Sequence, residues 1–242
     1  MLERFLGDQL VCVVLYGSIV FDDLAPEYGD LDFLAVVKND LTKEQREDLV
    51  KLRKPLRSGE HGAIATMIEG AFLPRKMLDP SVPGRAFWWG TSGERPWDAS
   101  KLGWLVLETI RRHGLVIWGE DLRDEIPPAS GENLISDIRS FVKGLRDHGR
   151  GGGLHSVDWL LTAARELLFL REGRFSSKTE AAGWGFEHAK GEWRKCLPRA
   201  KKVRLNPSLA GTEEARRWLE GLTGPIQEAG TELEREVVER LP

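Results

Sequence analysis

Up to Pro127-Pro128 short β-branched runs alternate with helical stretches, and beyond that pair apolar residues recur only at helical spacing. A chain divided in this way must build a strand-containing first part and an all-helical second part, because the two patterns bury their apolar faces differently. In the first part, residues 10–16 (LVCVVLY), 31–37 (LDFLAVV) and 63–73 (AIATMIEGAFL) read as strands, the last opened by Gly62 and closed by Pro74. Leu41, Leu49, Leu52 and Leu56 fall near helical spacing, with Thr42 placed as N-cap and Glu44 and Gln45 in the first turn. Residues 80–98, rich in Pro, Gly and Trp, show no period and are expected to form a long loop. A helix over 99–113, stopped by Gly114, and the short apolar run LVIWG at 115–119 complete this part.

The stretch DEIPPASGEN marks the domain boundary, dividing the chain into residues 1–129 and 130–242. Past it, 132–147, 154–172, 177–190 and 212–240 each carry helical periodicity and are separated by GRGGG, EGRFS and LNPSLAG. The expected fold is α+β: a mixed β-sheet with flanking helices, followed by an α-helical bundle. Gly151-Gly152-Gly153 reads as a hinge-like loop.

The composition, 41% apolar and 30% charged, is that of a globular protein, and the net charge of −3 argues against a nucleic-acid coat. Cys12 and Cys196 have no paired spacing, so neither a disulfide framework nor a zinc site is indicated and a reducing cytoplasm suits both. No apolar run approaches the roughly 20 residues of a membrane span, and MLERFLGDQL carries acids where a signal core would need apolar residues. A cytoplasmic monomer with no membrane or nucleic-acid partner is expected. Tryptophan is abundant, and the adjacent Trp88 and Trp89 could line a pocket or serve packing alone.

The segment YGSIVFDDLAPEYGDLDFLAVV contains the candidate chemistry. Side chains alternate along a strand, so Asp30 and Asp32 project to one side, their Cα atoms about 7 Å apart. They are either loop and edge residues facing water, or a carboxylate pair whose repulsion a cation relieves, Mg²⁺ being the usual one for oxygen ligands. Gly17-Ser18, at the end of a strand, offers close backbone approach, free N–H groups and a hydroxyl, all suited to a phosphate. If residues 10–16 and 31–37 pair, that turn returns close to Asp30 and Asp32. Glu69, the lone charge in its apolar run, is the candidate third acid, with Glu60 and His61 just before the run as alternatives. Asp22 and Asp23 read as solvated loop.

These residues carry a resemblance. Gly-Ser followed after eleven residues by D-x-D at the head of a strand, with a later strand acid, resembles the polymerase-β-type nucleotidyltransferases, and more narrowly the aminoglycoside adenylyltransferases of the streptomycin/spectinomycin group. ETIRRHGLVIWGEDLRDEIPP is similar to the end of that family's first domain, and LLTAARELLFLREGRFSSKTEAAGWGFEH to the core of its helical second domain. The likeness runs from about Val11 to about Arg204.

The resemblance implies an Mg²⁺-dependent transfer of AMP from ATP to a hydroxyl of an aminoglycoside or aminocyclitol antibiotic, with ATP in the cleft closed by the helical domain. It assigns the metal to Asp30 and Asp32, the general base to Glu69 rather than Glu60, phosphate contact to Gly17 and Ser18, and further phosphate contact to Arg165 and Lys178. Read from the residues alone, Ser177 and Glu180 form a capping-box pattern that sets Lys178 at a helix N-terminus, where an anion is favoured and a lysine is not. Arg165 could equally pair with Glu166 or Glu172. Departures from the family include Gly29 before the first aspartate, where several members have serine, and the loss of a nucleotide-contacting tyrosine near Arg204, the nucleotide-binding candidate within the basic stretch RKCLPRAKKVR, which could touch triphosphate or nucleic acid or form a solvated face. Acceptor contacts are expected from Trp88 or Trp89 and, in GRGGGLHSVDW, from His155 and Asp158, since a polycationic acceptor wants carboxylates around it. Two other readings keep a protein or RNA acceptor, or a nucleotide-binding module without turnover.

Overall fold

The protein is described here as a computed structural model covering residues 2–25, 28–91, 97–100 and 102–240, with Trp97–Ser100 as backbone only. It divides into two compact units, one of Met1–Leu24 with Gly29–Ala129 and one of Ala25–Tyr28 with Ser130–Pro242.

The first unit is built on a mixed sheet of β1 (Leu10–Tyr16), β2 (Leu31–Val37), β3 (Ile68–Pro74), β4 (Arg85–Gly90), β5 (Trp97–Ser100) and β6 (Leu115–Gly119). The strand order is β5-β4-β3-β2-β1-β6. Among the described residues only β2 and β3 run parallel, and helix α2 (Lys43–Arg57) is the crossover that a parallel pair requires. Thr42 caps α2 as its sequence predicts: its hydroxyl accepts from Gln45 N at 3.2 Å while Gln45 Oε1 accepts from Thr42 N at 2.9 Å.

Strand alternation sorts the side chains between two faces. On one, Cys12, Val14, Tyr16, Leu34, Val36, Ala71, Leu73 and Ala86 pack under helix α3 (Trp104–His113), which contributes Leu107 and Ile110. On the other, Val13, Phe33, Ala35, Phe72, Phe87 and Trp89 pack with Leu6 of helix α1 (Leu2–Leu6) and with Leu49 and Leu52 of α2. Phe33, Phe72 and Trp89 meet edge to face at 5.6 to 6.4 Å between centroids, a favoured aromatic geometry.

Three expectations for this unit need correction. The third strand begins at Ile68, not at residue 63, because Gly62 at φ +88° turns the chain into a short 3-10 stretch over Ala63–Thr66. The loop expected over 80–98 contains β4 and the start of β5, and in β4 Phe87 and Trp89 alternate with Ala86 and Trp88 between the two faces. The following helix accordingly starts at Trp104 rather than at residue 99.

The second unit consists of α4 (Gly131–His148), α5 (Leu154–Glu172), α6 (Lys178–His188), α7 (Leu197–Leu205), α8 (Glu213–Glu220) and α9 (Thr223–Glu239). Helix α5 is its centre, packed against α6, α7 and α9, with Val157, Leu160, Leu161, Leu167 and Leu168 buried. Arg171 of α5 donates to Glu232 at 2.8 Å and Glu236 at 2.6 Å on α9, and Glu232 also accepts from the fully buried Trp193 Nε1 at 2.8 Å. One helix expected over 212–240 is two, parted at Gly221, and α7 forms within the basic stretch. The triple-glycine loop is tied down: Gly151 N donates to Thr223 Oγ1 at 2.8 Å and Gly152 N to Leu219 O at 2.9 Å. Among the described residues no helix is long and apolar enough to cross a membrane.

Candidate active site

At one end of the sheet, residues from four neighbouring strands form a row. Tyr16 of β1 pairs with Asp32 of β2, Asp32 with Glu69 of β3, and Glu69 with Gly90 of β4. Asp32 and Glu69 share the face of Leu34, Val36, Ala71 and Leu73, by the period-two alternation of strands. Asp30 lies one residue ahead of β2 and two ahead of Asp32, on the side that alternation predicts. All three carboxylates are half-buried.

The Gly-Ser turn closes over this row. β1 ends at Tyr16, and Gly17–Phe21 winds into a 3-10 turn that carries Ser18. Gly17 has φ +73°, and a Cβ built on it would stand 2.0 Å from Asp32 Oδ2. Both conformation and space therefore demand glycine there. The turn is fastened by Asp23 N donating to Ser18 O at 3.0 Å, and Asp23 is buried, contrary to its reading as solvated loop; Asp22 is exposed.

Tyr16 was not singled out by sequence, although it directly precedes the Gly-Ser turn. Its ring is buried, and its hydroxyl pKa is raised well above the ordinary phenol value, first by burial and then by the charges of Asp32 and Glu69. The phenol thus registers a negative field from both carboxylates. Gly90, also unread, faces Glu69 without a side chain; a Cβ there would sit 2.9 Å from Ile68 O and 3.4 Å from Glu69 Cβ.

Trp88 and Trp89 point to opposite faces. Trp88 is half-buried against the core on the carboxylate face, two residues from Gly90. Trp89 is buried on the other face, and its Nε1 donates to Leu49 O at 2.7 Å, so its ring is used in packing and is withdrawn from the expected acceptor wall. Glu60 and His61 are exposed and precede the 3-10 turn, outside the row.

The second unit gathers the cations expected to meet phosphate. Lys178 is the first residue of α6, and Ser177 Oγ accepts from Glu180 N at 3.0 Å. The reciprocal half of the capping box is missing because the Glu180 carboxylate pairs with Arg174. Lys178 Nζ donates to Asp158 Oδ1 at 2.7 Å, and Arg204, itself buried, approaches the same oxygen at 3.6 Å. Burial lowers the Lys178 pKa and Asp158 raises it, with the nearby Arg165 and Arg204 charges pushing down as well. Arg165 donates to Glu166 Oε1 at 3.1 and 3.3 Å, the pairing open to it from sequence. Burial raises the pKa of Glu166 and Arg165 pulls it back. Beside the start of α6 the Ser176 hydroxyl is buried without a hydrogen-bond partner among the described residues. His155 is exposed with its ring 5.5 Å from that of Trp159.

Oxygen donors alone occupy the carboxylate row, as a hard cation requires. Among the described residues no three His, Cys, Asp or Glu side chains converge on one point, so any cation here would complete its shell with water or substrate oxygens, as Mg²⁺ commonly does.

Residues 124–227 match the sequence profile described as "Aminoglycoside adenylyltransferase, C-terminal domain". The spectinomycin 9-adenylyltransferase of Campylobacter jejuni is 25% identical over 193 residues, spanning 75% of this chain and 73% of that protein. The crystal structure of spectinomycin adenyltransferase AAD(9) from Enterococcus faecialis with ATP and spectinomycin is similar with a TM-score of 0.76 and 23% identity, covering 96% of this chain and 95% of that one. These matches bear out the resemblance read from the motifs, on its spectinomycin side, and the α+β fold expected with it.

Proposed function

We propose that this relative of the aminoglycoside adenylyltransferases of the spectinomycin type is an Mg²⁺-dependent nucleotidyltransferase that moves AMP from ATP to a hydroxyl of an aminocyclitol or aminoglycoside antibiotic, and so confers resistance. Spectinomycin is the acceptor favoured first, because both related proteins named above act on or bind it, and streptomycin second. The single observation that carries the reading is the Asp32–Glu69 pair in adjacent register with Gly17 pressed against Asp32.

Asp30 and Asp32 would hold the metal, which supplies charge neutralisation and polarisation of the triphosphate. Ser18 and the N–H groups of the Gly17–Phe21 turn bind phosphate oxygens. Glu69 accepts the proton of the acceptor hydroxyl as that oxygen attacks the α-phosphorus in line; the P–O bond to the β-phosphate breaks and pyrophosphate departs. Tyr16, kept neutral first by burial and then by the charges of the same carboxylates, stands beside Asp32 in register without adding charge. From the helical unit, Lys178, Arg165 and Arg204 serve the nucleotide phosphates. Asp158, already bonded to Lys178 and close to Arg204, holds these cations in place, a nearer role than the acceptor contact expected of it. Trp88 and His155 remain the candidates for the acceptor.

The test is pyrophosphate release from ATP by purified protein with spectinomycin, streptomycin and no acceptor, with Mg²⁺ and with a chelator. Release that needs both antibiotic and Mg²⁺ is expected. ATP binding without release across the panel would overturn antibiotic adenylylation.

A further inference from the structure

The buried stripe of α2 holds a charge. Position 53 lies four residues beyond Leu49 and next to Leu52, both in the core, yet it is an arginine only 7% exposed. Burial first, and then the charge of Arg57, lowers its pKa, so the position is a costly one for a cation. Its Nε donates to the Gly90 carbonyl oxygen at 2.6 Å. One helical turn earlier, Leu49 O accepts from Trp89 Nε1 at 2.7 Å. Helix α2 therefore grips two consecutive residues at the end of β4.

The register of β4 carries that grip to Glu69. Gly90 stands opposite Glu69, and Thr91 N donates to Ile68 O at 2.7 Å. Glu69 and Gly90 are thus a pair that exchanges no backbone hydrogen bonds, the closer of the two antiparallel kinds, and the Gly90 carbonyl points away from β3 toward its arginine. Closeness is also why a Cβ at position 90 would meet Glu69 Cα at 3.2 Å. Thr91, buried, ties the residue before Glu69 twice more: its Oγ1 accepts from Ile68 N at 2.9 Å and donates to Ile68 O at 3.3 Å. On the β2 side, Leu31 N donates to Met67 O at 2.7 Å. The backbone that carries Glu69 is held between β2 and β4, and Arg53 anchors the β4 hold.

We propose that Arg53 is a positioning residue for Glu69, a role that rests on the proposed adenylyl transfer: through Gly90 and Thr91 it fixes the backbone from which the carboxylate meets the acceptor hydroxyl. Helix α2 packs on the sheet face opposite Glu69, so the influence of Arg53 passes along β4. A general base has to stand within hydrogen-bond reach of its proton, and an ångström of drift there slows the chemical step without loosening the nucleotide. Loss of Arg53 therefore lowers turnover and spares the Michaelis constant for ATP.

Kinetics and hydrogen exchange on the full chain test this with two variants. Arg53→Met removes the donor and keeps an apolar stem; Arg53→Lys keeps a cation and a donor without the planar fork, and stays informative if Arg53→Met does not fold. Arg53→Met is expected to lower kcat roughly 10–100-fold with the Michaelis constant for ATP changed less than about twofold, and Arg53→Lys to recover part of the loss. In a Glu69→Gln background each substitution should cost less than about threefold, because the group it positions is gone. Without any ligand, amide exchange over residues 68–70 should be faster in both variants. A full loss repeated in the Glu69→Gln background overturns the positioning role. So does a rise in the Michaelis constant for ATP with kcat intact, or exchange unchanged from wild type. Wild type that transfers no AMP to either antibiotic overturns instead the proposed transfer, and the role falls with it.

Discussion

A Cβ on Gly17 would lie 2.0 Å from Asp32 Oδ2, so the backbone of the turn and the carboxylate of the neighbouring strand occupy one close contact. The contact ties the phosphate-binding candidate to the metal-binding candidate sterically, independent of any ligand. Gly17→Ala is expected to move the Asp32 carboxylate and to strain a backbone at φ +73°. Activity should fall roughly 100-fold, the scale of an ångström of misplacement, against a stability cost of only about 1–2 kcal/mol. Kinetics and thermal melting together check it; parallel loss of stability and activity on a larger scale would point to simple misfolding.

Neutralising the carboxylates should separate chemistry from folding. Asp32→Asn and Glu69→Gln each remove one of two like charges in adjacent register, so the melting temperature should hold or rise slightly. Adenylyl transfer should be abolished by Asp32→Asn and lowered about 10²–10⁴-fold by Glu69→Gln, the range for loss of a general base. Mg²⁺ dependence of ATP binding, measured by calorimetry, should weaken in Asp32→Asn and persist in Glu69→Gln. The reverse pattern would exchange the two roles.

Tyr16 reports on the same pair. Tyr16 and Tyr28 are the only tyrosines in the chain, so phenol ionisation can be followed by ultraviolet absorbance. The folded Tyr16 pKa lies above 10.0, so the native state keeps its proton where the unfolded chain has lost it. Stability from this group is complete below about pH 10 and is lost as pH rises above that toward the folded pKa. Tyr16→Phe should flatten the alkaline fall in stability, and Asp32→Asn should bring the Tyr16 titration down. An unmoved titration in Asp32→Asn would mean that the carboxylate field does not reach the phenol.

Glu108 contributes to the acid dependence of the first unit. It is buried and accepts from Arg111, Arg112 and the Ala129 N–H, and its pKa is lowered to about 2, the Arg111 hydrogen bond being the largest cause. Its stabilisation is present above the unfolded value near 4.5 and is lost as pH falls through about 2. Glu108→Gln is expected to destabilise by about 1–3 kcal/mol at neutral pH, since Arg111 and Arg112 lose charge-assisted hydrogen bonds but, 30% and 46% exposed, regain hydration, and to lessen the acid dependence of the melting temperature.

The motifs were legible in sequence where local chemistry decides structure. The Gly-Ser turn, the D-x-D at the head of β2, the Thr42 cap and the span of α5 all follow from short-range rules. β4 was not, because two adjacent tryptophans in a Pro- and Gly-rich stretch hide the alternation that sends Trp88 and Trp89 to opposite faces. The break between α8 and α9 was hidden for the opposite reason. Ala215, Leu219, Leu222, Ile226, Ala229, Leu233 and Val237 keep helical spacing straight across Gly221, so the apolar stripe gives no sign that the chain turns. Long-range partners, such as Asp158 for Lys178 across twenty residues, are set by helix packing and leave no local trace.

That last pair yields the sharpest test of the cationic cluster. Lys178 at the start of α6 is disfavoured by the helix dipole and by burial, and Asp158 offsets them only in part, the Lys178 pKa remaining lowered chiefly by burial. If Lys178 serves the triphosphate, Lys178→Ala should raise the Michaelis constant for ATP roughly tenfold or more, the value of one charge-assisted hydrogen bond, with little change for the acceptor. Asp158→Asn removes the group that holds Lys178 and lies near Arg204, so it should also act on ATP. In the double variant the two effects should fall short of their sum, since each acts through the same contact. An Asp158→Asn effect confined to the acceptor would return that carboxylate to antibiotic recognition and leave the cations to be positioned by α6 alone.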